Sequence, residues 1–548
     1  MMSWLILFHI YMVISGSIFV YGVVVSTKQG ILKGGVERSR GGRIFHSFYG
    51  IPYAEPPVGE LRFENPVPAK SWTGVRDGTI LPPPCLRSSM GKIYGQEDCL
   101  YLNVYRPKVS NETLLPVMVF TYGGQFMFLD ALPDRYGPHY FMDRDVIVIT
   151  FHYRLGSLGF LSTEDEIIPG NYGLKDGVAV LRWVQNYIDD FGGDKNRVTI
   201  FGGSSGAISV SLTLLSPLAK GLFHRVISQS GHPFDMEPPG KAKLNAWKFA
   251  SMVGCSGDDV QTSEELLKCL KNIPAKKLTS YNTNLFTGGV LIPAFPWGPV
   301  IENEKVEGAF LVDEPRKLIQ RRSDIPWIMG VNSDEGGMLA LMTYLRPDGA
   351  AFLSEFDTNY KKLFPVMFRY EDHVKDLEQL DCITEIYVNH YFGGKNISQN
   401  IHGFSKMFTS LIYFTGLKET VNLYKGPKYV YYYNHRNKES FDKTYFADTD
   451  IEMGVIHGDE IISFYNWSSA ITPVTEGVDL VVSEQMLDLW TNFAANGDPN
   501  LEDKVIWNPV NSSDINYLHI RNGTLEMKER LLEEEYEFLY SVPVDGYF

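Results

Sequence analysis

The residues best equipped for chemistry stand in Val198-Thr-Ile-Phe-Gly-Gly-Ser-Ser-Gly-Ala207, where Gly202, Ser204 and Gly206 make a G-x-S-x-G pattern. Val198 to Phe201 suit a buried strand, and the apolar-rich stretch Ala207 to Leu215 suits a helix. A serine on a tight strand-to-helix turn holds its hydroxyl exposed at the apex, above the helix N-terminus. The spaced glycines lack a Cβ and let strand and helix approach. Five small residues in a row also describe a plain loop, so the reading depends on partners elsewhere in the chain.

A serine hydroxyl is a weak nucleophile near neutral pH. It needs a base within hydrogen-bond reach, an acid to orient that base, and N–H donors where the oxyanion forms. For a nucleophile on such a turn the chain order is serine, then acid, then histidine, the last two on loops after later strands. Asp334 and Glu335 follow the strand-like Pro326-Trp-Ile-Met-Gly-Val331 and precede Gly336 and Gly337. Either carboxylate could serve, and both could instead face solvent. His457 lies in Gly454-Val-Ile-His-Gly-Asp-Glu460, where flanking glycines permit a sharp loop. His152 and His435 also follow strands and are read as structural. Tyr122-Gly-Gly-Gln-Phe126 follows another strand, and its paired glycines can turn N–H groups inward. The N–H of Ser205 would be a further donor.

The positioning elements read as a layered sheet. Pro116 to Thr121 and Asp145 to Thr150 are short, β-branched and bounded by turns, as expected of strands buried on both faces. Gly177 to Ile188 has helical spacing, and Arg225 to Gln229 reads as the next strand. Strand and helix thus alternate from about residue 115 to 230, which predicts an α/β fold with a mostly parallel sheet. Val23 to Ser26 with Gly30 to Lys33, and Arg43 to Phe48, are expected strands. Gly50 to Gly59 holds three prolines and is expected to be irregular. Tyr101 to Tyr105 alternates like an edge strand. Tyr429 to Tyr433 is a later strand, residues 337 to 420 read as mostly helical, and Asp479 to Phe493 reads as an amphipathic helix.

Composition narrows the partners. The 548 residues are 44% hydrophobic, 13% aromatic and 21% charged, with a net charge of −15. That balance supplies a large core and disfavours a nucleic-acid partner, which needs concentrated Lys and Arg. Leu5 to Phe8 and Ile10 to Val20 are mostly apolar, with no charged residue before Lys28. Residues 1–22 are therefore read as a secretory signal peptide, with a retained membrane anchor as the alternative. Residues 23–548 are expected to form one folded unit. Sequons at Asn111, Asn396, Asn466, Asn511 and Asn522 agree with secretion and glycosylation. Cys85 with Cys99, and Cys255 with Cys269, would each close a short loop suited to an oxidising compartment. The remaining cysteine, Cys382, is expected to be a buried thiol.

The chain resembles the carboxylesterase/cholinesterase family, in kind the secreted insect-type carboxylesterases. The resemblance is carried by Gly50-Ile-Pro-Tyr-Ala-Glu-Pro-Pro-Val-Gly59, Glu97-Asp-Cys-Leu-Tyr-Leu-Asn-Val104, Tyr122-Gly-Gly and Tyr153-Arg-Leu-Gly. It continues in Gly170-Asn-Tyr-Gly-Leu-Lys-Asp176, Asp190 to Gly206, Asp334-Glu-Gly, His457-Gly-Asp-Glu and Asn496-Gly-Asp-Pro-Asn500. It implies an α/β-hydrolase fold, with a large, mostly parallel sheet flanked by helices and a deep gorge leading to Ser204. It implies Ser204, Glu335 and His457 as the triad. It puts the oxyanion donors at Gly124, Gln125 and Ser205, and the disulfides at Cys85–Cys99 and Cys255–Cys269. The implied activity is hydrolysis of neutral carboxylic esters through an acyl-enzyme, with no cofactor or metal.

Departures from the family pattern bear on specificity. Gly203 stands where the family usually has Glu, Gln125 where it has a third glycine, Ser205 where it has alanine, and Gly177 where it has glutamine. The segment Leu86 to Asp98 has no tryptophan of the kind cholinesterases use to hold a quaternary ammonium. A small uncharged, apolar ester is therefore the expected substrate, and a cholinesterase is disfavoured. A secreted binding or adhesion protein on the same fold is the alternative of another class. Retention of all three triad residues argues against it.

Overall fold

The computed structural model describes residues 22–89, 91–110, 113–285, 296–345, 349–394, 396–446, 450–501, 506–511 and 514–544. The leader up to residue 21 and the sequon at Asn111 lie outside the described residues. Strands, in chain order, are β1 (Val23–Ser26), β2 (Ile31–Arg38), β3 (Ile44–Pro52), β4 (Val75–Asp77), β5 (Arg87–Ser89), β6 (Lys92–Tyr94), β7 (Tyr101–Pro107) and β8 (Leu115–Thr121). They continue with β9 (Ile147–Phe151), β10 (Gly193–Gly203), β11 (Arg225–Gln229), β12 (Trp327–Asn332), β13 (Lys428–Tyr433), β14 (Tyr517–Arg521) and β15 (Thr524–Lys528).

One large sheet runs β1-β2-β3-β7-β9-β8-β10-β11-β12-β13-β14-β15, with β4 paired to β2 and a separate β5-β6 hairpin. From β9 across to β14 each neighbouring pair is parallel. The flanks are antiparallel. The parallel centre follows from the apolar runs: β8, β9 and β12 are buried at every residue, so both faces must be covered. Helices Tyr172–Tyr187 and Ser205–Leu215 are the crossovers on either side of β10, and Gly477–Asn496 covers the sheet further along the chain. Because the central strands run the same way, the loops after β8, β10, β12 and β13 emerge at one edge of the sheet. In open α/β sheets ligands bind outside the carboxyl ends of the strands.

Three expectations are corrected. Tyr101–Pro107 is not an edge strand: it lies between β3 and β9, with antiparallel partners on both sides. Its polar position, Asn103, does not face solvent: it is buried, accepting from the Gly50 N–H at 3.1 Å and donating to Thr150 Oγ1 at 3.1 Å. The segment from Gly50 is not irregular throughout, because β3 continues to Pro52. Gly50, at φ +65°, takes up a register shift between Phe48 and Ile51. Cys382 is exposed. The helix Leu377–Phe392 buries Ile383, Tyr387, Val388 and Tyr391, which turns Cys382 to the face of exposed Glu378 and Asn389.

Disulfides join Cys85 to Cys99 and Cys255 to Cys269, with S–S separations of 2.01 and 2.09 Å. Asn396, Asn511 and Asn522 are exposed and Asn466 is half-buried. Among the described residues no helix is long and apolar enough to cross a membrane.

Candidate active site

Ser204 joins β10 to the helix Ser205–Leu215 with φ 59° and ψ −130°. A non-glycine residue avoids this region unless its surroundings fix it, at a cost of about 1–3 kcal/mol. The surroundings do fix it. The Ser204 N–H donates to the Gln229 carbonyl at 2.8 Å, and its own carbonyl accepts from Ala207 and Ile208 at 2.8 and 3.0 Å. The two spaced glycines are required by contact. A Cβ on Gly202 would stand 2.5 Å from the Thr121 oxygen, and one on Gly206 only 2.0 Å from it. The tightest neighbour of both glycines is thus the end of β8, the strand that launches Tyr122–Phe126.

The β8–β10 register pairs Thr121 with Gly202, which brings that loop beside Ser204. A Cβ on Gly123 would lie 2.8 Å from the Ser204 Cβ. Gly124, Gln125 and Phe126 have φ of +103°, +56° and +58°, so the chain turns sharply through three successive left-handed residues. The turn is pinned from several sides. Tyr153 donates its hydroxyl to the Tyr122 carbonyl at 2.9 Å, Phe128 N–H donates to the Gly124 carbonyl at 2.8 Å, and Phe126 N–H donates to Ser205 Oγ at 3.3 Å. The serine at 205 thereby ties loop to helix, a bond alanine cannot make. Among the described residues no acceptor takes the N–H of Gly124, Gln125 or Ser205. These are the three donors expected around an oxyanion.

The structure separates the two adjacent carboxylates. Glu335 is fully buried: its Oε1 accepts from the Asn332 N–H at 2.7 Å, and its Oε2 lies 2.6 Å from His457 Nδ1. Asp334 faces the other way. Its Oδ2 accepts from Ser333 Oγ at 2.6 Å and from Val455 N–H at 3.0 Å, and its own N–H bonds the Val455 carbonyl at 3.0 Å. Asp334 thus ties down the loop that carries the imidazole two residues further on. Gly454, at φ +81°, is required there, since a Cβ would lie 2.4 Å from the Asp334 carboxylate.

Burial opposes a charge on His457, but the Glu335 charge and hydrogen bond outweigh it and hold the imidazole above its ordinary range. Two further carboxyls lie beside it. Burial, aided by the Glu335 charge, pushes Glu460 up to about 7 against a hydrogen bond from Asn332. Burial likewise pushes Asp459 to about 7, against donors from Phe441 N–H and Ser440.

Sequence reading missed three contributors. Asn332 holds Glu335 with its N–H, and its side chain donates to the Ile456 carbonyl at 2.9 Å and Glu460 Oε2 at 2.6 Å. Tyr413 lies against the His457 ring, with centroids 4.9 Å apart. It is presented by a π-helical turn, Thr409–Phe414, and His232 Nε2 lies 2.9 Å from the Ile412 carbonyl in that turn. Gly416 makes room for this histidine, since a Cβ there would be 1.9 Å from its Nε2. Asn332 could have been suspected as the last residue of the strand before the acid. Tyr413 is far from every motif and left no local signal. His152 and His435 lie apart from the cavity. Burial lowers His152 to about 4, and His435 Nε2 lies 2.9 Å from Asp479.

Ser204, His457, Gly123, Gly124 and Gln125 all line one cavity of about 260 Å³. Its walls are mainly apolar, with Phe128, Leu129, Met338, Met342, Phe441 and Trp467 among them. Such a lining favours an apolar guest, with a few polar groups fixing orientation. Among the described residues no cluster of three or more His, Cys, Asp and Glu side chains is placed to hold a metal.

Comparison with known proteins agrees over nearly the whole length. The sequence pattern of the carboxylesterase family matches residues 22–539. The chain is 36% identical to juvenile hormone esterase of Tribolium castaneum over 532 residues, covering 91% of this chain and 89% of that one. It is 34% identical to venom carboxylesterase-6 of Apis mellifera, covering 91% and 90%. Among solved structures, juvenile hormone esterase from Manduca sexta, with OTFP covalently attached, superposes with a TM-score of 0.82 at 26% identity, covering 95% of this chain and 99% of that one. The chain therefore belongs to the carboxylesterase family, as a carboxylic ester hydrolase on the α/β-hydrolase fold.

Proposed function

We propose that this enzyme is a secreted serine esterase that cleaves neutral, largely apolar esters through an acyl-enzyme on Ser204. The observation that carries the reading is the pairing of buried Glu335 with His457 at 2.6 Å, opening with Ser204 and the free loop N–H groups onto one apolar cavity. In the proposed cycle His457 Nε2 takes the Ser204 proton as Oγ attacks the ester carbonyl. Glu335 keeps the proton on Nδ1 and stabilises the imidazolium. The N–H groups of Gly124, Gln125 and Ser205 receive the oxyanion. The C–O bond to the alcohol breaks, and His457 returns the proton to the leaving oxygen. Water, deprotonated by the same nitrogen, then releases the acid.

The covalent adduct in the Manduca structure supports the same kind of attack here. The apolar leader, the two disulfides and the exposed sequons at Asn396, Asn511 and Asn522 support secretion with glycosylation. The test is the pre-steady-state reaction with p-nitrophenyl acetate and butyrate beside Ser204→Ala. A nitrophenol burst equal to the enzyme, absent in the variant, supports the reading. A folded protein with no burst and no Ser204-dependent turnover overturns it and favours a binding role.

A further inference from the structure

Two aromatic side chains bring unused donors to the cavity that holds Ser204. Tyr136 is 3% exposed and Trp467 is 5% exposed, and both line that cavity. Neither the Tyr136 hydroxyl nor Trp467 Nε1 meets a hydrogen-bond partner among the described residues, yet neither atom is sealed by protein. The small surface each residue keeps therefore includes its polar atom, and the open space beside it is the cavity. Buried tyrosine hydroxyls and indole N–H groups ordinarily find a partner, so two left open on one apolar wall point to a guest.

The pair is fixed before any guest arrives. The two ring centroids lie 5.1 Å apart. Phe120 and Tyr465 pack on Tyr136 at 4.9 and 5.3 Å, and Phe441 packs on Trp467 at 5.0 Å. The backbones are clasped as well: Asn466 N–H donates to the Gly137 carbonyl at 3.4 Å, and Ser469 N–H donates to the Asp134 carbonyl at 3.0 Å. Side chains already ordered by packing cost little to order on binding. Burial holds the Tyr136 hydroxyl protonated, well above the ordinary tyrosine range. An indole N–H can only donate, so the partner that suits both atoms is an acceptor.

We propose that Tyr136 and Trp467 form an acceptor-recognising subsite, separate from the oxyanion donors, in which the hydroxyl and the indole N–H receive a second oxygen of the substrate. The substrate class is then an apolar ester carrying one carbonyl or ether oxygen away from the scissile group. A guest without that oxygen leaves both donors unpaired, which is the basis of discrimination. This inference rests on the serine-esterase reading.

The test compares kcat/KM for p-nitrophenyl heptanoate and its 4-, 5- and 6-oxo derivatives, which have one chain length and a moving acceptor. Heptyl butyrate and its 4-, 5- and 6-oxoheptyl counterparts probe the alcohol side. A ketone oxygen only accepts, so the oxo-to-plain ratio reports on donors. In one series, at one position, Tyr136→Phe should lower that ratio by about fivefold or more, and Trp467→Phe should lower it at the same position. At the other positions the ratio should stay within about twofold of wild type. Tyr136→Phe removes a single oxygen and keeps the packed ring, which guards against a misfolded Trp467→Phe. The ratio is the readout because a loosened cavity slows plain and oxo esters alike.

Three results overturn the proposal: a ratio unchanged by both variants at every position, a loss in only one variant, or an equal loss at all positions. These outcomes differ from failure of the underlying reading, which would show as no Ser204-dependent turnover of any ester.

Discussion

Glu335→Gln probes the site's wiring most sharply, because the local hydrogen bonds leave the new amide one orientation. Glu335 Oε1 accepts from the Asn332 N–H at 2.7 Å, while Oε2 faces His457 Nδ1 at 2.6 Å. In the variant the amide oxygen must stay on the Asn332 N–H, since the reverse would set two donors against each other. The NH₂ then points at Nδ1 and forces it to accept. The imidazole proton moves to Nε2, the nitrogen proposed to take the proton from Ser204. Inverting a catalytic tautomer this way costs about 10⁴ in kcat, or roughly 5.5 kcal/mol in the barrier. The fold should survive, because the substitution keeps the shape and removes a buried charge. Stopped-flow acylation by p-nitrophenyl butyrate, with thermal unfolding alongside, measures both. Asp334→Asn is the control: its carboxylate holds the Val455 loop, so acylation should fall less than tenfold. Acylation by Glu335→Gln within tenfold of wild type, or a larger loss in Asp334→Asn, would refute the reasoning.

Other expectations follow from the same geometry. Gly206→Ala puts a Cβ 2.0 Å from the Thr121 carbonyl; the strand end must give way, so stability should drop by about 1–3 kcal/mol with most of the activity, measured by urea unfolding and turnover. His457 must be neutral to act as base, and Glu335 raises it against the effect of burial. The acid limb of kcat/KM should therefore have its midpoint above 6.5, and a midpoint at or below 6 would contradict this. Glu460 is pushed from 4.5 to about 7, chiefly by burial, so the folded state binds its proton more tightly than the unfolded one. It contributes stability that is full below about pH 4.5 and lost as pH rises through 7. Glu460→Gln lacks this loss while keeping an acceptor for Asn332, so its Tm relative to wild type should be higher at pH 8 than at pH 4.5.

Much of the architecture was legible because the central strands carry their burial in their composition. The runs at β8, β10 and β12 are apolar and bounded by turns, and each leads into a motif loop. The Gly-Gly loop, the serine turn and the Asp334-Glu335 turn are therefore legible as sequence, and the histidine loop is legible from its flanking glycines. The choice between Asp334 and Glu335 was not legible from residue chemistry. Two adjacent carboxylates differ only in which way the turn points them, and that is set by Val455 and Asn332 in space. Tyr101–Pro107 alternates as an edge strand would, yet its position between β3 and β9 depends on pairings far apart in sequence. The β14–β15 hairpin is marked in the sequence by Asn522-Gly523, a strong turn signal between two strand-like runs. Tyr413 had no such marker. Its role comes from a π-turn and a histidine 180 residues from Ile412, contacts that no local pattern encodes.

The central claim is that Ser204 is the nucleophile activated by His457 and Glu335. Its most direct test is covalent capture with a fluorophosphonate ester, followed by peptide mass mapping of the folded protein. The account predicts one adduct per chain, on the peptide containing Ser204, forming orders of magnitude more slowly in Glu335→Gln and not at all in Ser204→Ala. An adduct on another residue, or labelling of Ser204 at the same rate in Glu335→Gln, would contradict it.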